Sequence, residues 1–189
     1  MSGKKITSWA IRICLLALII GSAVSKLPAR GLPPQNGIGN FGRISDQLYR
    51  GAQPDAAGIK NLAQLGVKTI INLRMPDDSW KDEPTQASAS GILYTNVPLH
   101  GMGAPSEEQL RTLLSIINSS SGPVFVHCQH GCDRTGTLIA CYRIQHDAWA
   151  AEKALEEAAR YGLSRWERGM RKCIVAFKPV APVKVAVQQ

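Results

Sequence analysis

The chain has 189 residues, of which 22 are basic and 14 acidic, and 44% of all residues are hydrophobic. Three basic residues lie in the first 25 positions, so 19 basic and 14 acidic residues, a net charge of +5, remain for the rest of the chain. These charges are scattered and form no basic stripe, which argues against nucleic acid as a partner. If the segments at the two ends of the chain, discussed below as a leader and a tail, are set aside, about 140 residues are left, which is enough for one domain with one core.

The first 25 residues are typical of an export signal. Lys4 and Lys5 precede an apolar run, and Arg12 interrupts that run ahead of residues 13–24. The stretch after Arg12 is short for a membrane span and suits the core of a signal peptide. We therefore expect residues 1–25 to be a signal peptide or an N-terminal membrane anchor, and the protein to be exported (periplasmic or secreted) or attached to a membrane.

Further along the chain, predicted strands alternate with predicted helices. Proline and glycine in residues 26–39 predict a linker, and the domain is predicted to span residues 40–177. Short apolar runs predict a strand pair around residues 42–50 and strands at residues 67–73, 93–99 and 123–126. Apolar residues at helical spacing predict helices at residues 55–65, 106–119, 135–146, 150–161 and 164–177. The composition of residues 178–189 predicts a disordered tail.

Three of these helices have recognisable start signals. Asp55 is predicted to cap the helix that follows it. Ser106 with Gln109, and Ser164 with Glu167, have the spacing of a capping box. The predicted apolar faces of the first two helices include Leu62, Leu65, Leu110, Leu113, Leu114 and Ile117.

This alternation predicts an α/β fold in which a central, mainly parallel sheet is flanked by helices on both faces. Open sheets of this kind bind ligands beyond the carboxyl ends of their strands. The segment that follows the strand at residues 123–126 is therefore the first place to look for a functional site.

That segment, positions 127–136, reads His-Cys-Gln-His-Gly-Cys-Asp-Arg-Thr-Gly. A strand, a short loop and a helix N-terminus direct several backbone N–H groups and the positive end of the helix dipole at one point. An anion is expected to bind there. The candidate phosphate-binding residues are Gln129, His130, Gly131, Cys132, Asp133 and Arg134.

The residue types in the loop suit a nucleophile and a phosphate ligand. A cysteine near a helix N-terminus and an arginine can have its pKa lowered from about 8.5 to roughly 3.5–7.5, so Cys128 is predicted to attack as a thiolate. Arg134 has a planar fork that donates two parallel hydrogen bonds to phosphoryl oxygens. Thr135 is predicted to donate its hydroxyl to the leaving sulfur, Gly131 to provide backbone freedom, and His127 to orient the loop by hydrogen bonding. The alternative, a buried cysteine beside a surface arginine, explains each residue singly but not their joint spacing.

Residues 127–136 (His-Cys, five residues, Arg-Thr-Gly) resemble the signature of the cysteine-dependent protein tyrosine phosphatase superfamily. Residues 48–54 and 65–74 resemble the opening strands of its compact, atypical dual-specificity members, so the resemblance covers about residues 40–162. It implies hydrolysis of phosphate monoesters in two steps, in which Cys128 attacks phosphorus and water then hydrolyses the phosphocysteine. It implies neither a metal nor a cofactor.

The general acid stays open at this point. The enzymes that the chain resembles usually carry an aspartate on a loop ahead of the signature, but residues 98–105 contain none. Asp133 is one candidate, because a carboxylate near a phosphate and a thiolate suits a proton donor; its alternative role is to accept loop or helix N–H bonds. The other candidates are carboxylates of a predicted turn or of a helical first turn: Asp77, Asp78, Asp82, Glu107 and Glu108.

The substrate class and the minor roles also stay open. Asp-Arg-Thr in the loop resembles myotubularin-like lipid phosphatases, which favours phosphoinositides or inositol phosphates, whereas the upstream motifs also suit phosphoproteins. Trp80 is a candidate recognition aromatic, with core packing as its alternative. Cys132 is a candidate for resolving an oxidised Cys128 as a disulfide, with loop filling as its alternative. The alternative functions are a phosphate-binding module without turnover and a rhodanese-like sulfur transferase.

Overall fold

The computed structural model describes residues 31–179. Its strands are β1 (Gly42–Ser45), β2 (Leu48–Ala52), β3 (Thr69–Asn72), β4 (Leu93–Asn96) and β5 (Val124–Cys128). Its helices are α1 (Ala56–Gln64), α2 (Glu83–Ala89), α3 (Glu107–Ser119), α4 (Asp133–His146), α5 (Ala151–Arg160) and α6 (Arg168–Ala176).

The five strands form one sheet in the order β1-β2-β5-β3-β4. β1 is antiparallel to β2, and every other neighbouring pair is parallel. β5 lies in the centre, with Ala52 of β2 opposite Cys128 and Asn72 of β3 opposite His127. The residues predicted to carry the chemistry therefore follow the central strand, at the edge where parallel sheets bind ligands.

Helices cover both faces of the sheet, which confirms the predicted fold class. On one face α1 and α2 pack against the strands through Ile59, Leu62 and Ala87. On the other face α3 and α4 pack against them, and α5 and α6 lie against α4. The predicted apolar face of α3 is confirmed, since four of its residues are buried there: Leu110, Leu113, Leu114 and Ile117.

The prediction that Leu65 faces the sheet is wrong. α1 ends at Gln64, and Leu65 is its C-cap, with 40% of its surface exposed. Leu62, one turn earlier, is fully buried as predicted. The predicted cap is confirmed as well, because the Asp55 side chain accepts a hydrogen bond from the Gly58 N–H at 2.8 Å.

The two predicted capping boxes have different outcomes. Ser106 and Gln109 form theirs at the start of α3, with both reciprocal hydrogen bonds present. The predicted box of Ser164 and Glu167 is wrong, because the helix begins only at Arg168. The Ser164 side chain accepts instead from the nearby Trp166 N–H. The segment before α6 is therefore a turn rather than a first helical turn.

Residues 31–39, which belong to the predicted linker, lie against the domain. Gln35 and Ile38 form an isolated β-bridge, and Ile38 is fully buried in the cluster that contains Tyr49 and Phe125. The predicted leader at residues 1–25 and most of the predicted tail lie outside the described residues. Within residues 31–179 no helix is both long and apolar enough to cross a membrane.

Candidate active site

The signature loop, residues 128–134, connects the end of β5 to the start of α4. Cys128 is the last residue of β5 and is only 3% exposed, and Arg134 is 8% exposed. Gln129 and His130 are exposed at the mouth of the loop, while Gly131 and Cys132 are buried. The fold thus places a sulfur at the floor of the loop and exposed residues at its rim, with the positive end of α4 behind them.

Gly131 allows the loop to turn. Its φ angle is +66°, in the left-handed region that side chains disfavour. A Cβ at this position would lie 2.5 Å from the backbone carbon and oxygen of Gly51 on β2. The loop therefore packs directly on the backbone of the neighbouring strand, and only glycine fits both conditions.

Arg50 of β2 lies fully buried beneath the loop. It donates a hydrogen bond to the Gly131 carbonyl, and its guanidinium carbon lies 4.0 Å from the centre of the Tyr161 ring. Burial lowers the pKa of Arg50 to about 10, against the smaller, opposing electrostatic effects of Tyr161, Cys128, Cys132 and Glu157. Arg50 therefore stays charged at neutral pH and adds a fixed positive charge beneath Cys128.

Asn40, two residues before β1, donates to the carbonyls of His130 and Gly131. Its side-chain amide donates to the Gly131 carbonyl at 3.0 Å and to the His130 carbonyl at 3.3 Å. The same amide nitrogen lies 2.9 Å from the Tyr161 carbonyl and 3.5 Å from the sulfur of Cys132. With its carbonyl groups bonded outward in this way, the loop keeps its N–H groups for an anion.

Arg134 reaches from α4 to the ends of the two strands on the other side of β5. Its Nη1 atom lies 3.5 Å from the Leu73 carbonyl oxygen, beyond β3, and 3.4 Å from the Leu99 carbonyl oxygen, beyond β4. These contacts hold the guanidinium at the carboxyl edge of the sheet. The segment after Leu99, residues 100–105, therefore begins beside Arg134, the residue predicted to bind the phosphoryl group.

His127 lies behind the nucleophile in a buried polar cluster. Its Nε2 atom is 2.9 Å from Oε1 of Glu83, and both side chains are fully buried. Its Nδ1 atom is 3.3 Å from the Cys128 carbonyl oxygen. Asn72 completes the cluster, since its amide lies 3.1 Å from Oε2 of Glu83 and 2.8 Å from the hydroxyl of Tyr94.

Asp133, the first residue of α4, has a structural partner. Its Oδ1 atom accepts a hydrogen bond of 2.8 Å from the Ser164 backbone N–H. This is the N–H-accepting role that was the alternative to general acid. The bond ties the loop between α5 and α6 to the signature loop.

The remaining candidate acids lie in the surroundings that their sequence context predicted. Asp78 forms an ion pair of 2.8 Å with Arg74, and Glu107 one of 2.6 Å with Arg111 in the first turns of α3. The others are exposed carboxylates near the starts of helices or in the 75–82 turn: Asp77, Asp82 and Glu108.

Other predicted side chains have defined surroundings. The hydroxyl of Thr135 is buried and has no hydrogen-bond partner within residues 31–179, so its role toward the sulfur stays a prediction. Trp80 packs, partly buried, against the core cluster beneath α1 and α2. Cys141 is no competing nucleophile: a hydrogen bond with Cys173 and burial raise its pKa. No three His, Cys, Asp or Glu residues of the described chain cluster as metal ligands would.

Sequence reasoning missed Asn40, Arg50 and Glu83 as site residues. Arg50 carried a usable signal, because a charged residue inside an apolar strand is rarely buried without a partner. Asn40 and Glu83 carried none, since Asn40 lies in a glycine-rich stretch and Glu83 in a polar one, and each reaches the site only through the tertiary fold.

The geometry accords with comparisons to known proteins. Residues 38–172 match the model of a family described as PTP-NADK, a DSP-PTPase phosphatase fused to NAD+ kinase. The chain belongs to this DSP-PTPase family. The match covers every strand, α1 to α5, the whole signature loop and the start of α6.

Two curated members of the phosphatase superfamily illustrate the likeness. The dual specificity protein phosphatase TpbA of Pseudomonas aeruginosa is 34% identical over 125 residues, which are 65% of this chain and 55% of TpbA. The chain thus spans about half the length of that relative. The inositol diphosphatase DSP5 of Arabidopsis thaliana is 25% identical over 142 residues, which are 72% of this chain and 67% of DSP5.

A solved structure of the same superfamily has the same fold. The core catalytic domain of the PP-IP phosphatase SIW14 from S. cerevisiae, in complex with citrate, superimposes with a TM-score of 0.66 at 25% sequence identity. The superposition covers 78% of this chain and 88% of the solved SIW14 catalytic domain. The DSP-PTPase fold is therefore shared over nearly all of that catalytic core.

Proposed function

We propose that this DSP-PTPase family member is a phosphatase that hydrolyses phosphate monoesters through a phosphocysteine at Cys128. The observation that carries the proposal is the buried sulfur at the floor of a loop whose carbonyls are bonded outward by Arg50 and Asn40. A loop held in this way presents its N–H groups and Arg134 to the phosphoryl oxygens.

In the proposed reaction Cys128 attacks phosphorus, and the bond to the leaving oxygen breaks as the sulfur–phosphorus bond forms. Arg134 and the loop N–H groups of residues 129–134 stabilise the charge on the equatorial oxygens. Water then attacks phosphorus and releases inorganic phosphate and the Cys128 thiolate. The buried hydroxyl of Thr135 is suited to donate to that sulfur.

For the substrate, we favour a polyphosphorylated inositol ring or its phosphoinositide form over a phosphoprotein. The names of relatives include both kinds, namely a dual specificity protein phosphatase and an inositol diphosphatase. Our preference between these two substrate classes rests on the segment from Ser164 to Gly169, which lies next to the signature loop. It is bonded to Asp133 at one end, and at the other a Cβ on Gly169 would lie 3.0 Å from the backbone nitrogen of Ala104.

This rim segment, residues 164–169, is basic and aromatic. Trp166 is 70% exposed, and the Arg165 guanidinium lies 4.8 Å from its ring centre. Arg165 and Arg168 are exposed, and neither takes part in the ion pairs found within residues 31–179. Two guanidinium groups without an ion-pair partner among the described residues, on a segment that is bonded to Asp133 of the signature loop, suit a substrate with a second phosphate.

The first experiment measures phosphate release from an aryl phosphate by wild type, Cys128→Ser and Arg134→Lys under reducing conditions. We expect Cys128→Ser to release none and Arg134→Lys to lose about a hundredfold or more in kcat/KM, because lysine cannot form the bidentate contact. Inert wild type that still binds vanadate would instead indicate a phosphate-binding module without turnover.

The second arm compares inositol polyphosphates, phosphoinositide vesicles and phosphopeptides. For each enzyme we take the ratio of kcat/KM on the polyphosphorylated substrates to kcat/KM on the aryl phosphate. We expect this ratio to be about tenfold lower in the Arg165→Gln/Arg168→Gln double variant than in wild type. Lys60→Gln, which removes an exposed cation from α1, is the matched control. A double variant that keeps the wild-type preference would contradict the proposed role of the rim.

We further propose that residues 1–25 direct export or anchor the chain to a membrane. The proposal is supported by the two lysines and the interrupted apolar run of this segment.

A further inference from the structure

We propose that Cys141 and Cys173 are a redox-active thiol pair, which a low-molecular-weight disulfide oxidises to a disulfide bridge between α4 and α6. The inference goes beyond the proposed phosphatase function, because it concerns two cysteines that take no part in the proposed reaction at Cys128.

The two thiols meet where α4 and α6 pack together. Cys141 lies on α4, is fully buried and belongs to the core cluster between the sheet and the helices α3 and α4. Cys173 lies on α6 and packs against the same cluster. Both are free cysteines, and their side chains share a hydrogen bond. Sulfurs that share a hydrogen bond point towards each other, which is the orientation that a disulfide requires.

The two thiols differ in their accessibility. Cys173 is partly exposed and lines a cavity of about 480 Å³ between α3 and α6, together with Leu110, Arg111 and Phe177. Cys141 has no exposed surface. A small oxidant can therefore reach Cys173 through the cavity, whereas Cys141 can react only with its neighbour.

The hydrogen bond between the thiols makes Cys173 the nucleophile of the pair. Donated by the Cys141 thiol, it lowers the pKa of Cys173 and outweighs the effect of partial burial, which would raise that pKa. The same hydrogen bond, together with burial, raises the pKa of Cys141. Cys173 is therefore the sulfur that carries the negative charge, and the thiolate is the form that attacks a disulfide.

The proposed oxidation has two thiol–disulfide exchange steps. In the first, the Cys173 thiolate attacks one sulfur of the small disulfide, whose sulfur–sulfur bond breaks, and one small thiolate leaves and takes up a proton. Cys173 is then a mixed disulfide, so the thiolate that raised the pKa of Cys141 is gone. In the second step Cys141 loses its proton to solvent and attacks the Cys173 sulfur, which releases the second small thiol. Overall, two electrons and two protons pass from the protein thiols to the small disulfide.

The experiment exposes folded, reduced wild type to oxidised glutathione, unfolds it in iodoacetamide to block the remaining thiols, and maps its peptides by mass spectrometry. We expect a peptide pair linked through Cys141 and Cys173 to accumulate, and to be lost again on reduction with dithiothreitol. Two alkylated cysteines after the exposure, or a glutathione adduct that persists on Cys173, would overturn the inference. This mapping needs no variant to fold.

Serine variants test the order of the two steps. Cys141→Ser should keep the glutathione adduct on Cys173, because no second thiol displaces it. Cys173→Ser should leave Cys141 unmodified, because glutathione does not reach a buried sulfur. Glutathione on Cys141 in Cys173→Ser, at the rate at which the wild-type bridge forms, would overturn the proposed order and with it the inference.

Cys128→Ser is the matched control, because it removes a cysteine outside the pair. We expect it to form the bridge as wild type does, and a bridge that depends on Cys128 would overturn the inference. Bridge formation is measured without a phosphate ester. A protein that forms the bridge but hydrolyses no phosphate ester would thus reject the proposed function alone.

Discussion

At the scale of single residues, the signature loop depends on contacts with no space to spare. Gly131 has φ +66° and its α-carbon faces the Gly51 backbone. Both the backbone conformation and the close contact therefore require a residue without a side chain. Gly66, which follows α1, also has a positive φ, of +80°, but a Cβ there would meet nothing within 4 Å. A side chain at Gly66 would therefore meet only the backbone penalty of a positive φ, whereas one at Gly131 would meet that penalty and a steric overlap as well.

We expect Gly66→Ala to cost about 1 kcal/mol of unfolding free energy, the ordinary penalty for a side chain at positive φ. Gly131→Ala should cost about 1–3 kcal/mol more, because the added methyl overlaps the Gly51 backbone. Chemical denaturation measures both free energies, and vanadate titration measures the anion site. Equal stabilities, or wild-type vanadate affinity in Gly131→Ala, would contradict the steric account.

Most residues of the candidate site could be predicted, because the nucleophile, the arginine and the loop between them are adjacent in the chain. Their spacing alone indicates the chemistry. Asn40 and Arg50 could not be assigned roles in this way, since they act on carbonyl groups some 80 to 90 positions away in sequence. Contacts of such long separation depend on the strand order, and no local pattern encodes them.

At the scale of elements, the end of α4 is fastened to α5 by a charged cluster. Arg143 lies 2.7 Å from Asp147 and 2.9 Å from Glu157, and its guanidinium carbon is 4.4 Å from the Trp149 ring centre. Partial burial alone would raise the pKa of Asp147, but hydrogen bonds from His146 and Arg143 outweigh it and lower the pKa.

A carboxylate with a lowered pKa stabilises the fold above its unfolded pKa, of about 3.9, and the contribution is lost as pH falls through the folded value. We expect Asp147→Asn to cost about 1 kcal/mol at neutral pH and to match wild type in acid below both pKa values. Urea denaturation at each pH measures the difference. Asp46→Asn is the control, because Asp46 pairs with Arg43 on the open surface; an equal loss there would rule out a special role for the cluster.

The elements that sequence reasoning found and missed differ in their apolar content. α3 was predicted because four leucine and isoleucine residues recur at helical spacing on one face. α2 was missed because its seven residues bury only Glu83 and Ala87, which leaves no periodic pattern. The start of α6 was misplaced because Ser164 bonds to Asp133 and to the turn instead of capping the helix.

At the scale of the whole molecule, three distant segments meet at one side chain. The Asn40 amide links the N-terminal segment to the signature loop and to Tyr161 at the end of α5, while its oxygen accepts from the Leu32 N–H at 2.8 Å. The substitution Asn40→Asp keeps the shape but replaces the donor with an acceptor that faces carbonyl oxygens.

We expect Asn40→Asp to destabilise the protein by about 1–3 kcal/mol, because the carbonyls of His130 and Tyr161 lose the amide donor, whereas that of Gly131 keeps the one from Arg50. The loop should lose phosphate affinity at the same time. Asn36→Asp is the control, since Asn36, like Asn40, has a positive φ (44°) but its side chain is exposed. Thermal unfolding and phosphate titration compare the two. Similar behaviour of both variants would mean that the amide does not organise the loop.

The outward hydrogen bonds from Arg50 and Asn40 also determine how binding energy is used. A loop already fixed in its binding conformation has little conformational entropy left to lose, so contacts with a phosphate contribute almost fully to affinity. Such a loop binds every phosphate monoester with similar strength, because it contacts only the group that all of them share. Discrimination between substrates then falls to the groups around the loop, which include residues 164–169, bonded to Asp133 through Ser164.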